Sequence, residues 1–244
     1  MTLLRDQDLT AAFDHAARTY DFLTAANPGY RTELHRTARR LCLPHRGAGL
    51  HVLDIGCGTG ASTQALLRAA PHARITAVDA SAGMLERALA KPWPDNVRFR
   101  HLTAEEMLKA DGEQSYDAAL SAYLLRNVTD PDAVLTAVHT LLRPGGRLAV
   151  HEYTLSGSPF HTALWNTVCR SVIIPPGTLT GDRELYRHLR SSVLAFDTAP
   201  AFASRLTRAG FTSVRTVPVA GWQTGIVHTF LAGHGSVTGP TAAR

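Results

Sequence analysis

A glycine-rich loop with an acidic residue on either side is the part of the sequence whose residue types best indicate a ligand site. Gly56, Gly58 and Gly60 follow a short apolar run, and Asp54 stands two residues before the first of them. Glycines at a strand-to-helix turn let the backbone approach a ligand, and the next helix N-terminus favours negative charge. Asp79 ends the following apolar run, and a carboxylate there can accept hydrogen bonds from both hydroxyls of a ribose.

Two classes of ligand are compatible with this loop. Its G-x-G-x-x-A spacing also satisfies the fingerprint of a dinucleotide site, in which an acidic residue beyond the second strand binds the ribose. Asp54 would repel a pyrophosphate and attract an ammonium group, so it favours a ligand with a cationic end. We therefore favour such a ligand and keep a nicotinamide-dependent oxidoreductase as the alternative from another class.

The elements that must position these residues alternate regularly from His51 onward. Five apolar runs, HVLDI, RITAV, VRFRHL, YDAALSA and RLAVHEY, predict strands. Helical patterns lie at about 61–70, 81–90, 104–110, 131–142, 159–173, 182–194 and 199–209. This alternation indicates an open parallel sheet with helices on both faces, where ligands bind at the carboxyl ends of the strands. The segments TSVRTVPVA and GIVHTFLAG predict a closing antiparallel hairpin.

Composition excludes several classes of protein. The 244 residues are 45% hydrophobic and carry 25 basic and 20 acidic side chains, which is typical of a globular protein. Three cysteines without C-x-x-C spacing indicate reduced thiols and a cytoplasmic location. We expect no membrane span, no metal site and no nucleic-acid partner, because long apolar runs, clustered metal ligands and basic-aromatic runs are all missing from the sequence. A basic surplus after Tyr153 leaves peripheral contact with an anionic membrane open.

Together, the glycine loop and the Pro144-Gly145-Gly146 turn resemble class I S-adenosylmethionine-dependent methyltransferases. A narrower resemblance, to the ubiquinone/menaquinone-biosynthesis C-methyltransferases, rests on motifs elsewhere in the chain. These are Phe13-Asp14, Tyr20-Asp21, Leu125-Arg126-Asn127-Val128, Thr180-Gly181-Asp182 with Tyr186, Leu189 and Ser192, and Ala209-Gly210-Phe211 with Gly225-Ile226-Val227. The resemblance covers about residues 10–232. It implies a Rossmann-like α/β fold with a seven-stranded, mostly parallel sheet and an antiparallel C-terminal hairpin.

The resemblance also implies how the chain is divided. Apolar residues at helical spacing predict two helices over 8–43, which would form a lid. The expected regions are a helical lid at 1–46, a cofactor-binding core at 47–152, a helical acceptor-pocket insertion after the fifth strand at 153–198, a last helix and hairpin at 199–232 and a flexible tail at 233–244. A homodimer is left open.

The cofactor implied by the resemblance is S-adenosylmethionine. Asp54 would lie near its ammonium and Asp79 at its ribose, while Met84 and the Thr103-Ala104 pair would flank the adenine and Tyr20 would close over the site. The full set of implied cofactor-binding residues is Tyr20, Asp54, Gly56, Cys57, Gly58, Thr59, Gly60, Asp79, Ala80, Met84, Thr103, Ala104, Ser121 and Ala122.

The reaction is expected beside the fourth and fifth strands. Arg126 and Asn127 would hydrogen-bond an acceptor oxygen, and His151 is a candidate general base because the pKa of a histidine is ordinarily near neutral. Together these three are the candidate catalytic residues. The candidate substrate-binding residues are Tyr123, Glu152 and Tyr186.

The expected reaction is C-methylation of a quinol-type ring in a lipophilic acceptor. Several residues depart from the family pattern, namely Thr103 for Asp or Asn, Ala122 for Ser, Phe22-Leu23 for Met-Asn, and Tyr123 and Leu124 for small residues. Because some of these touch the expected acceptor pocket, O-, N- or C-methylation of a different small molecule in specialised metabolism is the alternative.

Overall fold

A seven-stranded sheet forms the centre of the molecule. The computed structural model describes Ala11, Asp14 and residues 29–174 and 183–235. The strands are β1 (His51–Ile55), β2 (Arg74–Asp79), β3 (Val97–His101), β4 (Tyr116–Ala122), β5 (Leu142–Tyr153), β6 (Phe211–Pro218) and β7 (Val227–His234). Their spatial order is β3-β2-β1-β4-β5-β7-β6. The first five are parallel, and β7 lies antiparallel between β5 and β6, which confirms the expected fold class and its closing hairpin.

Helices cover both faces of this sheet. In the described residues they are α1 (Tyr30–Arg40), α2 (Ala61–Ala69), α3 (Ala82–Leu89), α4 (Ala104–Asp111), α5 (Pro131–Leu141), α6 (Pro159–Val168), α7 (Arg183–Ala195) and α8 (Ala199–Arg208). A π-helical turn over Cys169–Ile173 extends α6, and short 3-10 turns lie at Pro44–Gly47 and Gly221–Gln223. The helices predicted from residue 61 onward agree with these bounds to within one residue. The first predicted N-terminal helix falls mostly outside the described residues.

The central strands are buried on both sides, as parallel strands under helices are. Adjacent residues of β1 face opposite ways, so Val52 belongs to the apolar cluster that includes Leu34 and Leu66, and Leu53 belongs to the one that includes Met107. All five are essentially inaccessible to solvent. The near-continuous apolar character of the predicted strands follows from this double burial.

Side-chain caps begin the helices that follow β2, β3 and β4. The Ser81 hydroxyl accepts from the backbone N–H of Met84 at 3.1 Å, and an Asp130 carboxylate oxygen accepts from that of Ala133 at 2.9 Å. Such caps satisfy N–H groups that a helix leaves unpaired at its start. They fix the short connections at the carboxyl edge of the sheet, where the site lies.

The turn at Pro144-Gly145-Gly146 lies inside β5, where the register with β4 shifts between Tyr116 and Ala118. Gly145 has φ +80°, and a Cβ on Gly146 would lie 2.8 Å from the carbonyl oxygen of Arg143. Both glycines are therefore required by the turn. In the described part of the chain, no helix is long and apolar enough to cross a membrane. The five expected regions stay predictions.

Candidate active site

A cavity of about 360 Å³ lies at the carboxyl ends of β1 to β4. Its wall brings together many of the residues expected at the site, namely Gly56, Gly58, Asp79, Ala80, Met84, Thr103, Ala104, Ala122, Tyr123 and Asn127. It also includes Leu124, which the sequence analysis placed at the acceptor pocket, and residues that were not among the candidates, namely Ser81, Leu102, Glu105, Val128, Thr129, Asp130 and Val134. Ser81 and Leu102 lie just beyond strand ends, which is a signal that the sequence offers, whereas Thr129, Asp130 and Val134 lie at the start of α5 and have no such signal.

Other candidate residues lie away from this wall. Among the candidate cofactor residues that the structure describes, those outside the cavity lining are Asp54, Cys57, Thr59, Gly60 and Ser121. Cys57 is buried, and burial raises the pKa of its thiol well above the usual value. Tyr20 and the side chain of Tyr186 fall outside the described part of the chain, so their predicted roles stay predictions.

The glycine loop is held against the end of β2 and leaves its middle accessible. The N–H groups of Gly56 and Cys57 donate to the carbonyl of Val78 at 2.9 and 3.0 Å. Gly58 has φ +55°, and a Cβ added there would meet nothing within 4 Å. A Cβ on Gly56 would instead lie 2.9 Å from the Leu124 side chain. The backbone at Gly58 therefore borders space in which a ligand can lie directly against it.

Asp54 offers a buried carboxylate oxygen beneath this loop. Its Oδ2 accepts from the hydroxyls of Ser62 at 2.8 Å and Thr63 at 2.6 Å, at the start of α2. Its Oδ1 is buried and has no hydrogen-bond partner among the residues described. Burial raises the pKa of Asp54 to about 7. A buried carboxylate oxygen without a partner is costly. Asp54 does not line the cavity, so this atom is unused acceptor capacity beneath the loop on which a ligand would lie.

Asp79 is oriented by two backbone donors. Its Oδ2 accepts from the N–H of Gly58 at 2.7 Å and its Oδ1 from that of Ser81 at 2.8 Å. A carboxylate oxygen can accept more than one hydrogen bond. The two N–H groups therefore fix the plane of the carboxylate and leave it capacity for the two hydroxyls of a ribose. Burial raises the pKa of this carboxyl.

Thr103 has a helix-capping role that explains its place at the adenine end of the cavity. Its hydroxyl accepts from the N–H of Glu106 at 3.2 Å, and the Glu106 carboxylate accepts from the N–H of Thr103 at 2.8 Å. This reciprocal pair is a capping box. Asp, Asn and Thr are all good caps, so Thr103 keeps this function of the expected Asp or Asn. Its hydroxyl proton can still be donated to a ligand.

Asp14 also reaches this edge. The Asp14 carboxylate accepts from the Ser81 hydroxyl and, at 2.9 Å, from the N–H of Gly83 at the start of α3. Ser81 lines the cavity. Asp14 therefore contacts the connection between β2 and α3, just beyond Asp79. The Phe13-Asp14 motif carries part of the family resemblance, but Asp14 is not among the candidate site residues.

Arg126 and Glu152 form an ion pair inside the protein. Their side chains are 8% and 0% exposed, and Arg126 Nη1 lies 2.7 Å from Glu152 Oε1. The same nitrogen donates to the backbone carbonyl of Tyr123 at 2.7 Å. The guanidinium also lies over the ring of Tyr153, with 5.3 Å from its carbon to the ring centroid.

Asn127 joins the cavity to the helical region. Its Nδ2 donates to the Tyr123 carbonyl at 3.1 Å, and its Oδ1 lies 3.2 Å from His188 Nε2. Burial, with the nearby charge of Arg126, lowers the pKa of His188 to about 4. The imidazole is therefore neutral at pH 7 and donates its N–H to Asn127. A second cavity of about 190 Å³ shares Asn127 with the first and is also lined by Arg126 and His188.

His151 lies beneath the wall rather than on it. It is completely buried and does not line either cavity. Its Nε2 is 3.0 Å from the Tyr123 hydroxyl, and its Nδ1 is 2.9 Å from Thr229 Oγ1. Burial, followed by the charge of Arg40, lowers the pKa of His151 to about 3. The expectation of a near-neutral pKa is thus corrected, and this geometry does not support a general base.

Comparisons with known proteins agree with this arrangement. The sequence model of the ubiE/COQ5 methyltransferase family matches residues 1–232. Ubiquinone/menaquinone biosynthesis C-methyltransferase UbiE of Syntrophotalea carbinolica is 33% identical over 209 residues, which are 86% of this chain and 88% of that protein. Demethylmenaquinone methyltransferase of Mycobacterium tuberculosis strain H37Rv is 30% identical over 214 residues, 86% of each chain.

Solved structures show the same fold. The 1,6-didemethyltoxoflavin-N1-methyltransferase of Burkholderia thailandensis has a TM-score of 0.60 at 21% identity, over 93% of this chain and 88% of that one. Phosphoethanolamine N-methyltransferase 2 of Haemonchus contortus has a TM-score of 0.67 at 15% identity, over 91% of this chain and 57% of that one. At these identities the likeness establishes the class I methyltransferase fold.

Proposed function

Since the chain belongs to the ubiE/COQ5 methyltransferase family and is an S-adenosylmethionine-dependent methyltransferase, we propose that it methylates a ring carbon of a reduced, quinol-type acceptor. The observation that carries the proposal is the extent of the match, over residues 1–232. It includes both the cofactor loop and the segment from Tyr123 to Glu152. A cytoplasmic location belongs to the same proposal, and self-association and membrane contact stay predictions.

The cavity and the adjoining glycine loop suit S-adenosylmethionine, because their polar atoms can accept further hydrogen bonds. Asp54 Oδ1 would receive the ammonium, the backbone at Gly58 would lie along the methionine part, and Asp79 would receive the ribose hydroxyls. Met84 and Thr103 would border the adenine. When bound, the cofactor supplies a methyl group on a positively charged sulfur. The protein's task is then to hold an acceptor atom in line with that methyl group.

The acceptor must be made nucleophilic at carbon. Loss of a proton from a quinol hydroxyl raises the electron density on the neighbouring ring carbon. That carbon forms a bond to the methyl carbon as the carbon–sulfur bond breaks and its electron pair goes to sulfur. The ring then loses the proton from the methylated carbon and is aromatic again. Asn127 lines the cavity and would donate a hydrogen bond to the ionised oxygen, while Arg126, paired with Glu152, would hold the Tyr123 carbonyl beside it.

A specific observation favours the alternative acceptor in specialised metabolism. Leu124 packs against Gly56, and Tyr123 occupies the end of β4 in place of a small residue. Both side chains reduce the space next to the glycine loop. An acceptor with a different ring or a heteroatom nucleophile would be selected by this shape.

Transfer of a labelled methyl group tests the proposal. The protein is incubated with methyl-labelled S-adenosylmethionine and chemically reduced demethylmenaquinol, and mass spectrometry locates the added carbon. We expect a ring-methylated product, and no product from the oxidised quinone, which lacks an ionisable hydroxyl. Cofactor binding without methyl transfer would reject the quinol as the acceptor. A methyl group found on oxygen would reject C-methylation and support O-methylation.

A further inference from the structure

The side-chain amide of Asn127 is held between the end of β4 and helix α7. Its nitrogen donates to the Tyr123 carbonyl at 3.1 Å, and its oxygen lies 3.2 Å from Nε2 of His188 on α7. The backbone of Asn127 is fixed as well, because its N–H donates to the Leu124 carbonyl at 2.8 Å. With its backbone fixed and a partner at each end, the amide is held in one position.

The Tyr123 carbonyl determines which end of the amide faces β4. A backbone carbonyl only accepts hydrogen bonds, so it requires the amide nitrogen and not the amide oxygen. Tyr123 has φ +59°, in the left-handed region that non-glycine residues rarely occupy. Its N–H donates to the His151 carbonyl at 2.8 Å, which fixes this turn against β5. The amide oxygen of Asn127 therefore faces α7.

His188 supplies the donor that this oxygen requires. An amide oxygen only accepts hydrogen bonds, so the Nε2 that faces it carries a proton. Burial and the charge of Arg126 lower the pKa of His188 to about 4, so the ring is neutral at pH 7 and its proton is on Nε2. Both contacts of the Asn127 amide then join one donor and one acceptor.

The amide nitrogen of Asn127 keeps a hydrogen for a ligand. Nδ2 carries two hydrogens, and among the described residues the Tyr123 carbonyl is its one acceptor. Asn127 lines the larger cavity, whereas His188 lines only the smaller one beside it. His188 therefore reaches an acceptor in the larger cavity through the amide of Asn127.

We propose that His188 is a positioning residue for methyl transfer, whose Nε2–H holds the Asn127 amide so that the second Nδ2 hydrogen is donated to the ionised oxygen of the acceptor. A donor that is already oriented stabilises this charge without having to reorganise. The role rests on the proposed function, because it takes the acceptor to be a ring with an ionised hydroxyl. It adds a residue of α7 that is not among the candidate site residues.

Two replacements of His188 separate the donor from the bulk of the ring. His188→Gln places an amide nitrogen near the position of Nε2 and keeps the donor, whereas His188→Leu fills the space without one. With reduced demethylmenaquinol at pH 7, we expect His188→Leu to lower kcat about tenfold, because less of the acceptor is ionised without the oriented donor. KM for the cofactor should be unchanged, and His188→Gln should stay within about threefold of the parent protein.

A double-mutant cycle shows whether His188 acts through Asn127. Asn127→Ala should lower kcat at least as much as His188→Leu does. When Asn127→Ala is already present, His188→Leu should change kcat less than about twofold, because residues of one hydrogen-bonded unit are not additive. His139→Leu is the matched control, since this half-buried histidine packs against Phe211 outside both cavities. Unfolding curves control for folding.

Ionisation of a bound phenol gives a second readout that needs no turnover. 4-Nitrophenol is bound to the protein loaded with S-adenosylhomocysteine, and its absorbance reports the ionised fraction as pH is raised. A hydrogen bond to the charged form lowers the pKa of an acid. The pKa of the bound phenol should therefore be about one pH unit higher in His188→Leu and Asn127→Ala than in the parent protein, and His188→Gln should match the parent.

Equal losses in His188→Gln and His188→Leu, full activity of His188→Leu, or additive losses in the double variant would overturn the positioning role. If the parent protein transfers no methyl group to the quinol, the proposed function fails and the ionisation of 4-nitrophenol alone decides. A higher pKa in His188→Leu than in His188→Gln and the parent protein then supports the role of His188. One pKa in all variants, or no binding of 4-nitrophenol to the parent protein, rejects it.

Discussion

The cofactor edge and the acceptor wall use buried polar groups in opposite ways. The cofactor edge comprises Asp54, Gly58 and Asp79 at the ends of β1 and β2, and the acceptor wall is the buried network around Tyr123 and Arg126. In the first, Asp54 Oδ1 lacks a partner among the described residues, and the Asp79 oxygens keep acceptor capacity. In the second, charged and aromatic groups bind one another. The first region keeps acceptor capacity for a ligand, whereas in the second most of the interactions join its own side chains.

This difference indicates where the effects of substitutions should appear. Substitution of polar groups that have capacity for a ligand should change the affinity for the cofactor. Some of these groups also destabilise the protein when no ligand is bound. Groups that bind one another affect folding first, because removal of one leaves its buried partner unsatisfied.

The largest effect should come from the ion pair of the wall. Arg126→Met leaves the fully buried Glu152 carboxylate without its partner, so we expect a loss of about 3–5 kcal/mol in the free energy of unfolding. Urea unfolding measures it. Arg143→Met is the matched control, because its pairing with Asp117 is 47% and 21% exposed and should contribute less than about 1 kcal/mol.

A double variant sharpens this test. Arg126→Met with Glu152→Gln removes both charges and should recover most of the lost stability. Turnover should stay low, since the Tyr123 carbonyl no longer has Arg126 as a donor. Equal instability of the single and double variants would show that the pair is not the cause.

At the cofactor edge, Asp79→Ala should weaken binding of S-adenosylhomocysteine about thirtyfold to a hundredfold. This corresponds to about 2–3 kcal/mol, the cost of leaving two ribose hydroxyls without their acceptor. Calorimetry measures the affinity, and Asp95→Ala, at an exposed carboxylate, is the control. Unchanged affinity in a folded Asp79→Ala protein would show that the ribose does not bind at Asp79.

Asp54 should make cofactor binding depend on pH. Its pKa is raised to about 7 by burial, and an ammonium beside Oδ1 favours the ionised form, so binding must release a proton below pH 7. Affinity should fall up to about tenfold per pH unit below that value. Calorimetry at pH 6 in two buffers of different ionisation enthalpy measures the number of protons released on binding. No proton release would place the ammonium away from Asp54.

The same carboxylate should limit the stability of the empty protein. Because the pKa of Asp54 is higher in the folded than in the unfolded chain, its favourable contribution is present at low pH and is lost as pH rises through about 7. Asp54→Asn should therefore raise Tm at pH 8 while it weakens cofactor binding. If Asp54→Asn instead lowered Tm at pH 8, the loss of cofactor binding would be explained by the loss of folding, and the carboxylate would be structural.

The smallest effect is expected at Thr103. Thr103→Ala removes the cap of α4 and should cost about 1 kcal/mol of stability. Cofactor affinity should change less than about threefold, because the hydroxyl is chiefly a cap. Thr103→Asn, which can also cap, is the control. A loss of affinity larger than the loss of stability would make the hydroxyl a true adenine contact.

The sequence allowed the cofactor edge to be predicted more fully than the acceptor wall. The positions of Gly58 and Asp79 follow from local rules, because glycines at a strand-to-helix turn and an acid at the next strand end are set by near neighbours. Alternation of strands and helices likewise indicated the sheet. The contact of the Thr37 and Thr229 hydroxyls joins residues 192 positions apart, and no local pattern encodes it.

His151 shows why the wall was harder to predict. A histidine at a strand end is compatible with a base at the cavity mouth or with a buried link, and only packing decides between them. Here α1 and β7 cover the ring and remove it from solvent. The left-handed backbone of Tyr123 also depends on partners from β5 and from its own loop, which spacing alone does not reveal.

A crystal structure of the complex with S-adenosylhomocysteine is the most direct test of the division between edge and wall. The account predicts the ammonium within hydrogen-bond distance of Asp54 Oδ1, the ribose hydroxyls on Asp79, and the adenine between Met84 and Thr103. It also predicts that Tyr123, Arg126 and His151 keep their present contacts. A ligand that leaves Asp54 Oδ1 without a partner, or a wall that rearranges around the ligand, would contradict it.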